Sequence, residues 1–167
     1  MKRILAALAA TLVLLPALAQ TEWKISTRGY GQVKAGMSTL EAARLMGTRL
    51  KTHDNRPLDP YCDYVYPEKG FKGVSMMVER GKIAHVQLAA AGPQTRSGAA
   101  VGDSVDKLRQ LYGQQLKIQP HKYDETGFYY YVWEQDKRYG IKFEIGGGKV
   151  TSIFAGDYTI GYVEGCA

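Results

Sequence analysis

One pattern of twelve residues occurs twice in this sequence, and it constrains the fold more than any other feature. GMSTLEAARLMG occupies residues 36–47 and GDSVDKLRQLYG occupies residues 102–113, an offset of 66. The similarity continues downstream, where Tyr64-Val65-Tyr66 aligns with Tyr131-Val132-Trp133 at an offset of 67. Self-similarity of this kind indicates repeated structural units. We therefore predict two units, about 32–91 and 99–158, joined by residues 92–98.

Each unit is predicted to begin with a short helix. In the first unit, Ser38 and Glu41 form the S-x-x-E pattern of a capping box, and Gly47 is placed to end the helix. Its expected buried stripe recurs every third residue and consists of Leu40, Ala43 and Met46. In the second unit Asp103 or Ser104 is the expected N-cap, and the apolar stripe consists of Val105, Leu108, Leu111 and Tyr112.

Three strands are predicted after each helix. They lie at 61–66, 74–79 and 82–88 in the first unit and at 128–134, 140–145 and 149–154 in the second. Ile141, Phe143 and Ile145 alternate with Lys142 and Glu144, which is typical of a strand with one buried face. The predicted fold class is α+β: a tandem repeat of helix plus three antiparallel strands, forming one curved antiparallel sheet with helices packed on one face.

The N-terminus has the pattern of a secretory signal peptide. Lys2 and Arg3 precede an apolar run at residues 4–15, and Ala17-Leu18-Ala19 supplies small residues for cleavage. The run is shorter than the ~20 residues that span a bilayer, which disfavours the alternative of an uncleaved anchor. Gln20 follows the cleavage site, where a lipoprotein has cysteine. We therefore predict a signal peptide over 1–19, cleavage after Ala19, a periplasmic location and no membrane anchor after cleavage.

The mature chain, 20–167, is predicted to be a single domain made of the two repeats plus a C-terminal tail. Residues 22–26 add a strand or pack as an N-terminal arm. Without Lys2 and Arg3, the 22 basic residues become 20 against 16 acidic ones, a net charge of +4. No run of five basic residues exists, so nucleic acid is not an expected partner. This mild positive charge suits an acidic protein partner or anionic envelope glycans.

The two cysteines are predicted to form a disulfide. In an oxidising compartment a pair of thiols such as Cys62 and Cys166 is normally oxidised. The bond would join the C-terminal tail to the middle of the chain and contribute ~4–5 kcal/mol in the chain-entropy model. The alternative, a redox-active thiol, lacks the C-x-x-C pattern.

Aromatic residues are concentrated in the second-unit strand FYYYVWE. By strand alternation, Tyr129, Tyr131 and Trp133 share one face, and the first-unit equivalents of Tyr131 and Trp133 are Tyr64 and Tyr66. Because Tyr and Trp anchor many protein interfaces, these five residues are candidates for a binding patch. The alternative, that this face is part of the core, stays open at this point.

Other candidate residues are few. Arg96 lies in the joint between the units, where a guanidinium group can clamp a carboxylate or phosphate. His85 is expected on the solvent side of its strand, and His53 and His121 are expected in loops. No Ser–His–Asp or Cys–His arrangement can be assigned, and the scattered histidines lack metal-ligand spacing. We therefore expect no catalytic residues, no metal and no cofactor.

The helix pattern also resembles a known family. G-M-S/T-x-x-E/Q-A/V, opening a short helix before antiparallel strands, resembles the helix of the SmpA/OmlA family of small outer-membrane-assembly lipoproteins; here it begins at Gly36. Tandem duplication of the unit is similar to the β-lactamase inhibitory protein architecture. That resemblance implies a curved sheet whose aromatic-rich concave face grips a protein partner. The second copy departs from the pattern at Asp103, and the lipoprotein cysteine is absent.

Together these features predict a soluble periplasmic, non-catalytic binding module. It would be inhibitor-like and bind a protein partner through the aromatic sheet face, so that alanine at Tyr131 and Trp133 abolishes capture while the fold stays intact. The alternatives are a module that binds envelope glycan or cell wall, and an outer-membrane assembly or maintenance factor. An enzyme would need a pocket that joins His85 or His121 to a carboxylate.

Overall fold

The computed structural model describes residues 22–166, so the predicted signal peptide lies outside the described residues. This part of the chain contains two α-helices, α1 (Thr39–Met46) and α2 (Val105–Tyr112). The strands before α2 are β1 (Lys24–Ser26), β2 (Gly29–Tyr30), β3 (Val33–Lys34), β4 (Leu50–Lys51), β5 (Cys62–Pro67), β6 (Val74–Glu79), β7 (Lys82–Leu88) and β8 (Gln94–Thr95). Those after α2 are β9 (Lys117–Pro120), β10 (Phe128–Trp133), β11 (Tyr139–Gly146) and β12 (Lys149–Asp157). Three short 3-10 helices cover His53–Asn55, Gly113–Gln115 and Tyr158–Gly161.

Eight strands form one antiparallel sheet in the order β4-β5-β6-β7-β12-β11-β10-β9. The predicted bounds of β6 and β7 agree with the structure, and the other four predicted strands differ by a few residues at their ends. The α+β class with a mostly antiparallel sheet is therefore confirmed. The prediction of three strands after each helix is wrong, because each helix is followed by four strands of this sheet. The two extra strands carry little sequence signal, since β4 has two residues and β9 is exposed throughout. The sheet places β7 and β12 side by side at its centre, in the register Ile153↔Leu88 to Gly156↔His85.

A second, smaller sheet has the order β3-β2-β1-β8. Strand β1 comes from the predicted N-terminal strand or arm, and β8 comes from the predicted joint between the units. The pair β1–β8 is parallel, with Lys24 opposite Gln94. The prediction of a single antiparallel sheet is thus incomplete, because the N-terminal segment and the joint pair with each other.

Helix α1 begins and ends where the sequence predicts, but it buries a different face. Ser38 and Glu41 form the capping box, and Gly47 ends the helix in the left-handed conformation with φ 63°. Of the predicted stripe, Met46 is buried, but Leu40 is 60% exposed; the other buried residue is Ala42, one turn before Met46. Positions i and i+4 share a helix face, whereas Leu40 lies almost opposite Ala42.

Helix α2 is capped by Ser104, one of the two predicted N-caps. Its predicted apolar stripe is confirmed: Leu108 and Tyr112 are buried, and Val105 and Leu111 pack partly buried against the same core. That core also contains the buried residues of α1 and one face of the large sheet. We call this the first face; its largest fully buried member is Phe143.

The opposite, second face of the sheet is covered by the C-terminal end of the chain. After β12, residues 158–166 form the 3-10 helix Tyr158–Gly161 and an irregular stretch that ends at a disulfide between Cys62 and Cys166. The predicted disulfide is therefore confirmed. We call residues 158–166 the covering segment.

Candidate binding site at the covering segment

Strand register places the second-face residues in two neighbouring rows across the sheet. The first row consists of Tyr64, Met77, His85, Gly156, Gly140 and Trp133. The second row includes Gln87, Phe154, Lys142 and Tyr131. A side chain at Gly140 would meet the Trp133 ring at 2.7 Å and Ile160 at 3.1 Å, so glycine leaves the space these two residues occupy.

The predicted aromatic patch is mostly covered. Tyr129 and Tyr131 are 6% and 4% exposed. They form a second buried cluster with Phe154 of β12 and with Ile160 of the covering segment. Trp133 is partly buried and stacks on Tyr131 at 5.8 Å between ring centroids. The two possibilities that the sequence left open are thus resolved for Tyr129 and Tyr131, which are buried side chains.

The first-unit tyrosines are separated from that cluster, because four strands lie between β5 and β10. Tyr64 is half-buried and lies so close to Gly165 that a side chain at that glycine would meet its hydroxyl oxygen at 2.1 Å. Tyr66 is half-buried and faces different depressions, near Phe71 and near His53. Of the five predicted patch residues, Tyr64 and Tyr129 line one common cleft.

Arg96 lies apart from all of them. It is exposed and borders a shallow depression with Glu22, Lys24 and Gly31 beside the small sheet. Its backbone N–H donates to the carbonyl of Ile25. The structure therefore does not bring Arg96 together with the aromatic residues.

The outer surface of the covering segment presents aromatic side chains to solvent. Tyr158 is 56% exposed, and Tyr162 and Val163 follow it on the same segment with 39% and 43% exposure. The rings of Tyr158 and Tyr162 contact each other edge to face at 6.0 Å. Tyr123, from the loop before β10, is also exposed and donates its hydroxyl to Glu164 of the covering segment. We call Tyr123, Tyr158, Tyr162 and Val163 the tyrosine surface.

Beneath the covering segment lies a cleft of about 230 Å³. Its floor contains Lys142, which the sequence pattern placed on the solvent side of β11 but which is 4% exposed. The Lys142 ammonium donates to the Tyr162 carbonyl at 3.3 Å and lies 3.9 Å from the Phe154 ring centroid. Burial lowers the pKa of Lys142 to about 8. No carboxylate of the described residues lies within 4.0 Å of this ammonium group.

His85 forms another part of the cleft, and its predicted position on the solvent side is wrong. It is 2% exposed, because the covering segment packs over it. The Thr159 hydroxyl donates to Asp157 at 2.7 Å, so Nδ1 of His85 must donate to the Thr159 oxygen, at 2.8 Å. Nε2 therefore carries a free lone pair, and it is buried without a hydrogen-bond partner among the described residues.

His121 has the opposite tautomer. Its Nδ1 accepts the backbone N–H groups of Tyr123 and Asp124, so Nε2 donates to the Glu144 carboxylate at 2.9 Å. Its ring packs on Tyr129 with centroids 4.4 Å apart. Glu144 lines the cleft, so the site does contain a histidine joined to a carboxylate, the arrangement that an enzyme would need.

Sequence reasoning missed Lys142, Glu144 and the covering segment. The alternation in β11 located both charged residues on one face, but it treated that face as open to solvent. In the part of the chain that the structure describes, no group of three His, Cys, Asp or Glu residues could hold a metal ion. No helix in residues 22–166 is both long and apolar enough to cross a membrane.

Comparison of the chain with protein-family models, with curated proteins and with solved structures gives no match. The functional argument therefore rests on the residues of the site.

We expect His85 to make the protein sensitive to acid. Burial, with a smaller contribution from the Lys142 charge, lowers the pKa of His85 to about 3. The unfolded chain binds a proton at this residue below its ordinary pKa of ~6.5, while the folded protein does not. Stability should fall by up to ~1.4 kcal/mol per pH unit from pH ~6.5 down to pH ~3. Urea unfolding at several pH values measures this slope.

The control for this prediction is His85→Phe, which keeps an aromatic ring but has no proton to bind. The slope between pH ~6.5 and pH ~3 should become shallower in this variant by the contribution of one proton. An unchanged slope would show that His85 does not cause the acid sensitivity.

Proposed function

We propose that the chain is an exported, non-catalytic binding module that captures a protein partner through the tyrosine surface. The supporting observation is that Tyr158, Tyr162 and Val163 are exposed together on a segment that is fixed to the sheet below it. Tyrosine is enriched among the residues that contribute most to binding at protein interfaces. The proposed surface thus moves outward from the strand aromatics to the segment that covers them.

Several contacts hold the tyrosine surface in place. The disulfide fixes Cys166, and the Lys142 ammonium holds the Tyr162 carbonyl. Glu164 accepts a hydrogen bond from the Tyr123 hydroxyl and forms an ion pair with Lys122, with 3.7 Å between Nζ and Oε1. A surface that is ordered before binding loses less conformational entropy when the partner docks. This pre-organisation supports binding as the function.

The histidine chemistry favours binding over catalysis. Both ring nitrogens of His121 are engaged, one with Glu144 and the other with two backbone N–H groups. His85 has a pKa of about 3, far from the neutral range in which a general base works best. Neither residue is therefore placed to exchange protons with a substrate near neutral pH.

Two further parts of the proposal concern origin and location. A tandem duplication is supported by the order of elements, since a helix and four sheet strands occur in each half and β7 and β12 meet at the centre. The presence of buried residues of α1 and α2 in one core supports helices on a common face. Both features would fit the architecture of β-lactamase inhibitory protein.

The disulfide supports export to an oxidising compartment.

The test is capture of a partner from periplasmic extract by the mature chain and by the variant Tyr158→Ser/Tyr162→Ser. We expect the variant to capture at least about tenfold less of one stoichiometric protein, because removing two interface anchors costs several kcal/mol. Both residues are exposed, so the fold should persist. The matched control is Leu40→Ser/Leu45→Ser, which removes two exposed apolar side chains from α1 and should capture normally.

Equal capture by parent and tyrosine variant would contradict the proposal, as would equal loss in the helix control. If no protein is captured and the parent instead binds purified envelope polysaccharide through the same tyrosines, the alternative of a glycan-binding module replaces it. Identification of an outer-membrane assembly component as the captured protein would make the chain an assembly or maintenance factor.

A further inference from the structure

We infer that the cleft beneath the covering segment binds a neutral, hydroxyl-rich ligand of about the size of one sugar ring. The polar groups that line the cleft define this chemistry. They include two donors, the Lys142 ammonium and the Gln87 amide, and three acceptors, Nε2 of His85 and the carboxylates of Glu144 and Glu164. The cleft lies beneath the tyrosine surface and shares Tyr162 and Val163 with it, but its polar groups are different ones, and the inference does not depend on the proposed protein partner.

The acceptor on His85 is determined by its neighbours. The Thr159 hydroxyl donates its hydrogen bond to Asp157, so it can only accept from His85. Nδ1 of His85 is therefore the protonated nitrogen, and Nε2 is left with its lone pair. A buried acceptor without a partner costs about 1–3 kcal/mol. A ligand that brings an O–H or N–H group to Nε2 removes that cost.

The donor on Lys142 is only partly used. Of its three N–H groups, one donates to the Tyr162 carbonyl, and the ammonium also lies over the ring faces of Phe154 at 3.9 Å and Tyr129 at 5.3 Å. An oxygen atom entering the cleft therefore finds an ammonium group that is not neutralised by direct contact with a described carboxylate.

These groups discriminate between ligand classes. A purely accepting anion, such as a simple carboxylate, suits Lys142 but faces the lone pair of His85 and the negative charge of Glu144. A cation suits Glu144 and His85 but faces Lys142. A hydroxyl group both donates and accepts, so adjacent hydroxyls on one ring can satisfy all three residues.

The size and the walls of the cleft fit a single sugar ring. Its volume of about 230 Å³ lies below the range of pockets that enclose drug-sized ligands, which begins at ~300 Å³. Tyr64, Tyr129 and Tyr162 line it, and aromatic faces pack well against the C–H groups of a sugar ring. A few fixed polar groups among aromatic walls are the usual composition of a small-molecule site.

The experiment uses the mature chain with the His85 side chain labelled with nitrogen-15. The hydroxyl-rich probes are N-acetylglucosamine and glucose, and the comparison probes are acetate, inorganic phosphate and glycine. We expect a saturable shift of Nε2 with at least one sugar, with a dissociation constant near ~1 mM. Acetate should leave Nε2 unshifted, because the acetate ion brings no donor to it. Phosphate should also leave it unshifted, because its negative charge is repelled by the Glu144 carboxylate that lines the cleft.

Variants assign the binding to the cleft. Lys142→Met, which keeps the length of the side chain, should weaken sugar binding about tenfold through loss of a charged hydrogen bond. Lys149→Met, on the exposed tip of the β11–β12 hairpin, is the matched control and should bind like the parent. Near-ultraviolet circular dichroism of both variants confirms folding, and the measurement on the parent remains decisive if Lys142→Met does not fold.

Three results would overturn the inference. One is no saturable Nε2 shift with either sugar, which would mean that no sugar hydroxyl reaches this atom. Another is saturable binding of acetate without sugar binding, which would make the cleft an anion site. The third is sugar binding that is unchanged in Lys142→Met. The two proposals can fail separately, because this one is read from the Nε2 signal of His85 in the parent, whereas partner capture is read by comparing the parent with Tyr158→Ser/Tyr162→Ser.

Discussion

Replacing both cysteines with serine, Cys62→Ser/Cys166→Ser, is expected to lower the free energy of unfolding by ~4–5 kcal/mol. The disulfide closes a loop between residues 104 apart, and its loss gives that conformational freedom back to the unfolded chain. The effect should not be uniform. The covering segment lies at the end of the chain, so without the bond its last residues lose their link to β5.

This prediction is measured by urea unfolding together with hydrogen exchange. The stability loss should appear in both the double-serine variant and the reduced parent, which serves as the matched control for the substitutions themselves. Faster exchange should be concentrated in residues 158–166 and in the strands beneath them. A stability loss below ~1 kcal/mol, or exchange that does not change at the covering segment, would contradict the structural role given to the bond.

Tyr131→Ala is expected to cost ~3–5 kcal/mol, as for other large buried aromatic residues. Tyr131 is 4% exposed, and its removal opens a cavity between Trp133, Tyr129 and the covering segment. The sequence analysis expected alanine here to leave the fold intact, whereas the burial of Tyr131 predicts a loss of stability. The same substitution at Tyr158, which is 56% exposed, should change stability by no more than ~0.5 kcal/mol.

Two measurements separate packing from recognition at Tyr131. Unfolding free energies of Tyr131→Ala and Tyr131→Phe test the cavity, because phenylalanine keeps the ring and should recover most of the stability. Capture assays then compare Tyr131→Phe with Tyr158→Ser/Tyr162→Ser. Normal stability of Tyr131→Ala would show that this ring is not packed as described. Loss of capture in the folded Tyr131→Phe variant would show that the binding surface includes the aromatic side chains of β10.

The elements that local patterns control could be predicted from the sequence. The capping box at Ser38 and Glu41 satisfies the first backbone N–H groups of α1. The predicted bounds of β6 and β7 agree with the structure, although both faces of these strands are buried at their centres. The disulfide could be predicted from the compartment that the signal pattern implies. These features depend on residues near one another in sequence or on general chemistry.

The site could be predicted only in part, because it depends on what covers the second face. Alternation in β11 separates Lys142 from Phe143 but does not say that residues 158–166 return across Lys142. The same return buries His85 and Tyr131. The role of Gly140 and Gly156 becomes clear only when register places the two glycines side by side. Gly140 leaves space for Trp133 and Ile160, and Gly156 leaves space for His85.

The most direct test of the central claim is site-specific photo-crosslinking in the intact periplasm. A photoreactive phenylalanine derivative is introduced at position 158, at position 162 and, as the control on the far element α1, at position 40. We predict that positions 158 and 162 crosslink to the same single protein and that position 40 does not. Crosslinking from position 40 alone, or no protein adduct from positions 158 and 162, would contradict the account.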